Sequence, residues 1–416
     1  VKAQLHAEGG RVAETDEAKL DTARLQAALD GCAAGKAVEL AADGPNNAFL
    51  SGPIELRPGV VLLVDRGVTL FGSRDPRLYA VSPGSCGLVN NEPRGCNPLI
   101  HAKGAKGAGI MGDGVIDGRG GAFILGLNHK TWWDLANDAR SGGRQQVPRL
   151  IEIEDSDDFT LYRITVRNSA NFHIVYSHGD GCTVWGLKID TPKNARNTDG
   201  FDPSASRNIT VTQSYIRDGD DNIAIKGGNG PVTNMTIIHN HFFHGHGMSI
   251  GSETNAGVSR ILVRDLSLDG TEAGIRIKSN ATRGGLVDGV QYDDVCIRGS
   301  NHPIQLDTNY SYAGTRIDSF PIFQNTLLHN VRISASKTIS LNGYDHTHRI
   351  GVQFSGVSLD SPASYKFEIK HADITIGPGP VNFTIPGGED STVRGKATTG
   401  TLDSCADKFV EFPVTP

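Results

Sequence analysis

Methionine is nearly missing from this chain, with 3 in 416 residues, and long runs of apolar residues at helical spacing are scarce. Glycine, by contrast, is used 51 times. Such a profile favours many short strands joined by tight turns over long helices. No apolar run approaches the length of a membrane-spanning helix; the longest of note, Val60 to Val64, is strand-sized. Strong charge of either sign is also absent. A formal net charge of −6 supplies no overall attraction for an acidic partner, so any polyanion must be met by local cations. Without a basic stripe or a stacking platform, nucleic acid is not an expected partner, and neither is a membrane. No cysteines are spaced as CxxC, so the cysteines lack metal-ligand spacing.

What is present begins with six cysteines, Cys32, Cys86, Cys96, Cys182, Cys296 and Cys405. An even number without metal spacing reads as disulfides formed in an oxidising compartment. Cys86 and Cys96 flank a loop rich in glycine, proline and asparagine and are the expected bridge. The first residue is Val1 rather than methionine, which fits removal of a targeting segment and secretion.

Near the start, Asp21 and Thr22 precede ARLQAALDG, which places Leu25 and Leu29 on one face and Gly31 as a stop. This is a short capped helix suited to covering the end of a stack. From Val38 the sequence turns to short strands. A pattern φxφxxφxφ of apolar or small residues then recurs at Phe159-Leu161-Ile164-Val166, Cys182-Val184-Leu187-Ile189 and Ile209-Val211-Ser214-Ile216. It returns at Met235-Ile237-Asn240-Phe242, Ile261-Val263-Leu266-Leu268, Val290-Tyr292-Val295-Ile297 and Val352-Phe354-Val357-Leu359. Most neighbours lie roughly 23 to 29 residues apart, a solenoid period. Two period-two strands with a kink between them describe one coil of a parallel β-helix. Propeller blades are longer, leucine-rich repeats carry a different ladder, and a sandwich needs regular hairpin turns. The expected organisation is one all-β domain over residues 1–416. Residues 1–35 form its N-terminal cap, 36–375 its coils, and 376–416 a last coil and cover.

Four polar signatures sit in register with the repeat: NTDG at Asn197 to Gly200, GDD at Gly219 to Asp221, GHG at Gly245 to Gly247, and RIK at Arg276 to Lys278. Equivalent points of successive coils lie about 4.8 Å apart, so Asp199, Asp220, Asp221, His246, Arg276 and Lys278 can share one face. Arg276 and Lys278 alternate with Ile277, so both cations point one way while Ile277 points inward. Crowded carboxylates repel and retain a proton, which is the state that glycoside hydrolysis needs in its acid. Each motif taken alone is a turn, a solvated loop or an ordinary strand; their joint register is what points to a site.

NTDGFD, GDDNIAIK, GHGMSIGSE and GIRIKS, in this order and spacing, resemble the polygalacturonases of glycoside hydrolase family 28. FLSGPIEL near Leu50 and GDGVIDG near Gly112 extend the resemblance over most of the chain. It implies a single-stranded right-handed parallel β-helix of the pectin-lyase-like kind and metal-independent hydrolysis of α-1,4-galacturonan with inversion. Carried onto this sequence, Asp220 is the general acid, and Asp199 and Asp221 hold and deprotonate the attacking water. His246 hydrogen-bonds near the acid. Arg276 and Lys278 meet galacturonate carboxylates. Tyr310, Lys226 and Asn197 are further substrate-binding candidates, and Asp202 supports its turn. The expected protein is a secreted, monomeric endo-acting enzyme on polygalacturonate. The competing readings are an exo-acting enzyme, with the insert around Trp132, Trp133 and Gly142 closing the cleft; a calcium-dependent pectate lyase; and a non-catalytic β-helix that binds polysaccharide.

Overall fold

The alternating apolar runs form parallel strands, in a computed structural model that describes residues 1–127, 129–310 and 319–414. The parallel β-helix read from the repeat is the observed fold. Its described residues divide into two compact units. The first comprises Val1–Phe201 and Ile216–Asp220 with the residues from Pro413; the second comprises Asp202–Tyr215 and Asp221–Phe412.

In the first unit, the strands Ile54–Glu55, Ile100–Lys103, Ile151–Glu154 and Ile174–Ser177 follow one another in parallel register. Their leading residues Ile54, Ile100, Ile151 and Ile174 align in a column with at most 1% exposure. Each such side chain contributes roughly 1.5 to 3 kcal/mol of burial, so the column is a continuous core. The predicted helix spans Thr22–Asp30 and buries Leu25 and Leu29. Its polar side chains serve the sheet beneath: Asp21 accepts from the Leu50 amide at 2.9 Å, Thr22 from Gly52 at 2.8 Å and Gln26 from Glu55 at 2.8 Å. The helix thus covers strand groups that would otherwise be open to pairing with another chain. One detail differs from expectation. Asp21 occupies the cap position but does not cap the helix; its carboxylate is taken by Leu50 and Arg24.

The second unit repeats the scheme with two buried columns. Ile223, Met248, Ile275, Ile304 and Ile339 align, as do Ile225, Ile250, Ile277, Leu306 and Leu341. Positions between the columns face outward, and there Ser249, Arg276, Gln305 and Ser340 are in register. Ile277 therefore points inward between Arg276 and Lys278, as the alternation required. One further coil joins the repeats read from the sequence. Thr326, Leu328, Val331 and Ile333 pair with Val290, Tyr292, Val295 and Ile297, and in turn with Val352, Phe354, Val357 and Leu359. Thr326 is buried between apolar neighbours, as Ser214 and Asn240 are buried within the repeats read from the sequence.

The cysteines pair in two of the three combinations that six allow at once. Cys86 bonds Cys96 and Cys296 bonds Cys405, whereas Cys32 and Cys182 are thiols. Cys182 is fully buried opposite Phe159, and burial pushes its thiol well above the ordinary range. Beyond Thr392–Arg394, which pairs with the strand Ala372–Ile376, the tail does not stay at the last coil as a cover. It returns along earlier ones: Cys405 to Cys296, Lys408 to Asp265 and Asp294, Phe409 under Arg298, and Phe412 against Phe243. In the chain-entropy account, a cross-link closing a loop of this length stabilises by about 4.7 kcal/mol. Cys405→Ser is therefore expected to release the tail, seen as new protease cleavage after Arg394. A tail equally resistant in the variant would show that the ion pairs and rings hold it unaided.

Candidate active site

Three of the four motifs, NTDG, GDD and GHG, owe their local shape to close backbone approach or a buried polar clamp. In the first unit, Asn197 adopts a left-handed backbone with φ of 55°. The next residue, Thr198, accepts from the Gly219 amide at 2.9 Å and donates to the Ala195 carbonyl at 2.7 Å. Gly219 passes so close to Ala195 that an added Cβ would lie 1.9 Å from its carbonyl oxygen. Glycine in GDD is thus a steric requirement, and it locks the NTDG and GDD segments together. Asp220 donates its amide to Asp218 at 3.1 Å, and its carboxylate accepts from the Asn197 amide side chain at 3.3 Å. Asp199 is 3% exposed.

His173, which the sequence did not flag, sits beneath this loop. Its Nδ1 lies 3.1 Å from both the Thr198 and Asp199 carbonyls, and its Nε2 lies 2.8 Å from the Thr191 hydroxyl. Those partners assign the proton to Nδ1, with Nε2 accepting. Burial pulls its pKa down to about 4, against smaller opposing effects of the two carbonyls and Asp190. The unfolded chain takes up this proton near pH 6.5 and the folded one only near 4. The neutral ring's stabilising contribution is therefore whole above about 6.5 and falls away as the pH drops towards 4, by about 3 kcal/mol in all. Denaturant titrations should show His173→Gln to be less stable at pH 7, with a shallower acid slope than wild type. Parallel slopes would remove His173 as the cause.

In the second unit, Asp221 is 2% exposed and is held by polar and cationic side chains. Its Oδ1 accepts from Ser249 at 2.7 Å and from Arg276 at 3.2 Å, and its Oδ2 from Lys278 at 2.6 Å. Two cations thus meet one buried carboxylate, and Arg276 also acts on Asp307. Tyr310 lies against both, with its ring centre 5.2 Å from the Arg276 guanidinium and 5.2 Å from the Lys278 ammonium. Lys226 pairs with buried Asp202 at 2.8 Å, and Asp202 lies in the strand Phe201–Ser204 rather than in a turn. The GHG turn is clamped by Asn222, a fully buried residue whose side chain accepts from the Gly247 amide at 3.0 Å and donates to the His244 carbonyl at 3.1 Å. Gly247 must be glycine, since a Cβ would lie 2.0 Å from the Ala273 oxygen. His246 is held between these two glycines, partly exposed.

The model of glycosyl hydrolases family 28 matches residues 32–377, which is most of the chain and includes all four motifs. The chain belongs to this family. It is 42% identical to an endo-polygalacturonase of Pectobacterium carotovorum subsp. carotovorum, over 83% of this chain and 86% of that protein. A polygalacturonase of Ralstonia solanacearum is 38% identical over 94% of this chain and 84% of its own length. Among solved structures, the polygalacturonase from Erwinia carotovora ssp. carotovora superposes with a TM-score of 0.80 at 40% identity. That match covers 90% of this chain and 96% of the other.

Beyond His173, sequence reasoning overlooked Asn222 and Ser249. Both stand inside the quoted motifs, and Ser249 faces the same way as Arg276 one coil on. That register was available from the repeat.

Proposed function

We propose that the chain is a polygalacturonase that hydrolyses α-1,4-galacturonosidic bonds within de-esterified pectin, with inversion at the anomeric carbon. The observation that carries this reading is the buried carboxylate of Asp221, held by Lys278 and Arg276. Cationic partners favour its ionised form, the state a base needs. In this reading Asp220 protonates the leaving oxygen. Asp221 and Asp199 hold and deprotonate water on the opposite face of the sugar, and His246 hydrogen-bonds near the acid. Arg276 and Lys278 attract a galacturonate carboxylate, with Tyr310 offering a ring face to the sugar. Asn197 and Lys226 complete the binding set, Lys226 by fixing Asp202.

The names of the relatives support the substrate class, and those called endo-polygalacturonases support cleavage within the chain. Two disulfides suit an oxidising compartment and so support secretion. Among the described residues, no helix is long and apolar enough to cross a membrane. A calcium-dependent lyase is less compatible with Asp221, because a divalent cation there would have to displace two protein cations.

The test is the product ladder from polygalacturonate. A broad early distribution of saturated oligomers is expected. Monomer or dimer alone would overturn the endo assignment, unsaturated ends the hydrolytic one, and no new reducing ends the enzymatic one.

A further inference from the structure

Two inserts of the first unit build a strongly basic cavity beside the acid loop. One is the segment closed by the Cys86–Cys96 disulfide. The other follows the helix Trp132–Asp138 and returns through Arg144–Gln146, which pairs antiparallel with Leu88–Asn90. Gln146, 2% exposed, fastens them: it donates to Asn90 at 2.8 Å and to the Glu92 carbonyl at 3.1 Å, and accepts from the Gly95 amide at 2.7 Å. The cavity has a volume of about 340 Å³, and its lining includes Arg94, Arg144, Arg149, Arg196, Gln145 and Asn197. This size suits a small-ligand site.

Four arginines line this space, with Glu152 beside two of them and Asp220 near a third. Arg94 and Arg149 share Glu152, Arg149 through a 2.6 Å contact. Arg196 donates to the Ala136 carbonyl at 2.6 Å, and Arg144 is exposed, with no ion-pair partner among the described residues. Burial and the neighbouring Arg140 both press the Arg196 guanidinium towards losing its proton, while Asp220 opposes them. An acidic ligand would relieve that crowding. At one edge Asn197 links the cavity to the proposed acid: it accepts from Gln145 at 3.3 Å and donates to Asp220 at 3.3 Å.

We infer that this cavity is a carboxylate-binding subsite that holds a galacturonate unit next to the one acted on by Asp220. The inference rests on the polygalacturonase reading above and adds a specificity element to it. Arginine is suited to the role because its planar fork grips a carboxylate at two points. A subsite built from inserts rather than from the coils also accounts for why no part of the repeat signals it.

Arg144→Gln is the variant of choice, since it removes an exposed and unpartnered charge and leaves the Glu152 contacts intact. Hydrolysis is measured on oligogalacturonates of defined length and on polygalacturonate. KM is expected to rise about tenfold for the longer oligomers and the polymer, and to change less than twofold for the shortest cleaved oligomer. Arg144→Lys should recover part of the loss, and methyl-esterified galacturonan should be handled alike by variant and wild type. Equal KM at every length would overturn the subsite while leaving the enzyme assignment standing. Calorimetric binding of hexagalacturonate to Asp220→Asn, with and without Arg144→Gln, separates the two ideas. Arg144-dependent binding to a protein whose wild type cleaves nothing would sustain the subsite and sink the function.

Discussion

Asp220→Asn is expected to lower kcat on polygalacturonate by about 10³-fold or more, with the folded protein essentially as stable as wild type. Loss of a positioned general acid typically removes 10²- to 10⁴-fold of rate, and departure of an unprotonated sugar alkoxide places this case at the upper end. Stability is spared because Asp220 is only partly buried, its backbone amide still donates to Asp218, and an asparagine oxygen can still accept from Asn197. Initial rates of reducing-end release, alongside urea unfolding, measure both quantities. A variant within tenfold of wild type would remove Asp220 from the acid role.

Asp221→Ala should fail in a different way. It strips the shared counter-charge from Lys278 and Arg276, whose side chains are only 7% and 11% exposed. Breaking a buried pair typically costs about 3 to 5 kcal/mol, because the remaining charge has no compensation. The urea midpoint should fall accordingly, and hydrolysis should vanish with it. Adding Lys278→Met takes away one of the two orphaned charges and should restore part of the stability. It should restore none of the activity, since the proposed base stays absent. If the double variant is no more stable than Asp221→Ala, then charge pairing is not what makes Asp221 structurally important. If it regains hydrolysis, Asp221 is not the base.

These two neighbours also mark how far the sequence could be read. Period-two apolarity and a regular spacing suffice for a parallel solenoid, because each coil must bury the same positions against the next. That logic located Ile277 inward and Arg276 outward before any coordinates. It passed over the coil of Thr326, whose register continues unchanged, although that residue fits the pattern no worse than Ser214 or Asn240. The helix Thr22–Asp30 was legible from Leu25 and Leu29, but the use of Asp21, Thr22 and Gln26 to satisfy strand amides was not. Long-range hydrogen bonds of that kind leave no periodic trace.

Within the site, the motif residues were visible as isolated chemical types, whereas their pairings were not. Nothing in RIK announces that both cations serve Asp221 before they serve a ligand. His173 lies 26 residues from Asp199 in a segment without a motif, so only folding reveals it as the floor of the acid loop. The return of the tail from Cys405 to Phe412 was equally hidden, since its contacts are a disulfide, one lysine and two rings spread over three coils.

The central claim is that water, activated by carboxylates on the far face, displaces a leaving group protonated by Asp220. Proton NMR of the products formed from trigalacturonate or a longer oligomer in the first minutes, before mutarotation, tests this most directly. The account predicts that the new reducing end appears first as the β-anomer and is saturated. A first-formed α-anomer would mean retention through a covalent intermediate and would contradict the roles given to Asp199, Asp220 and Asp221.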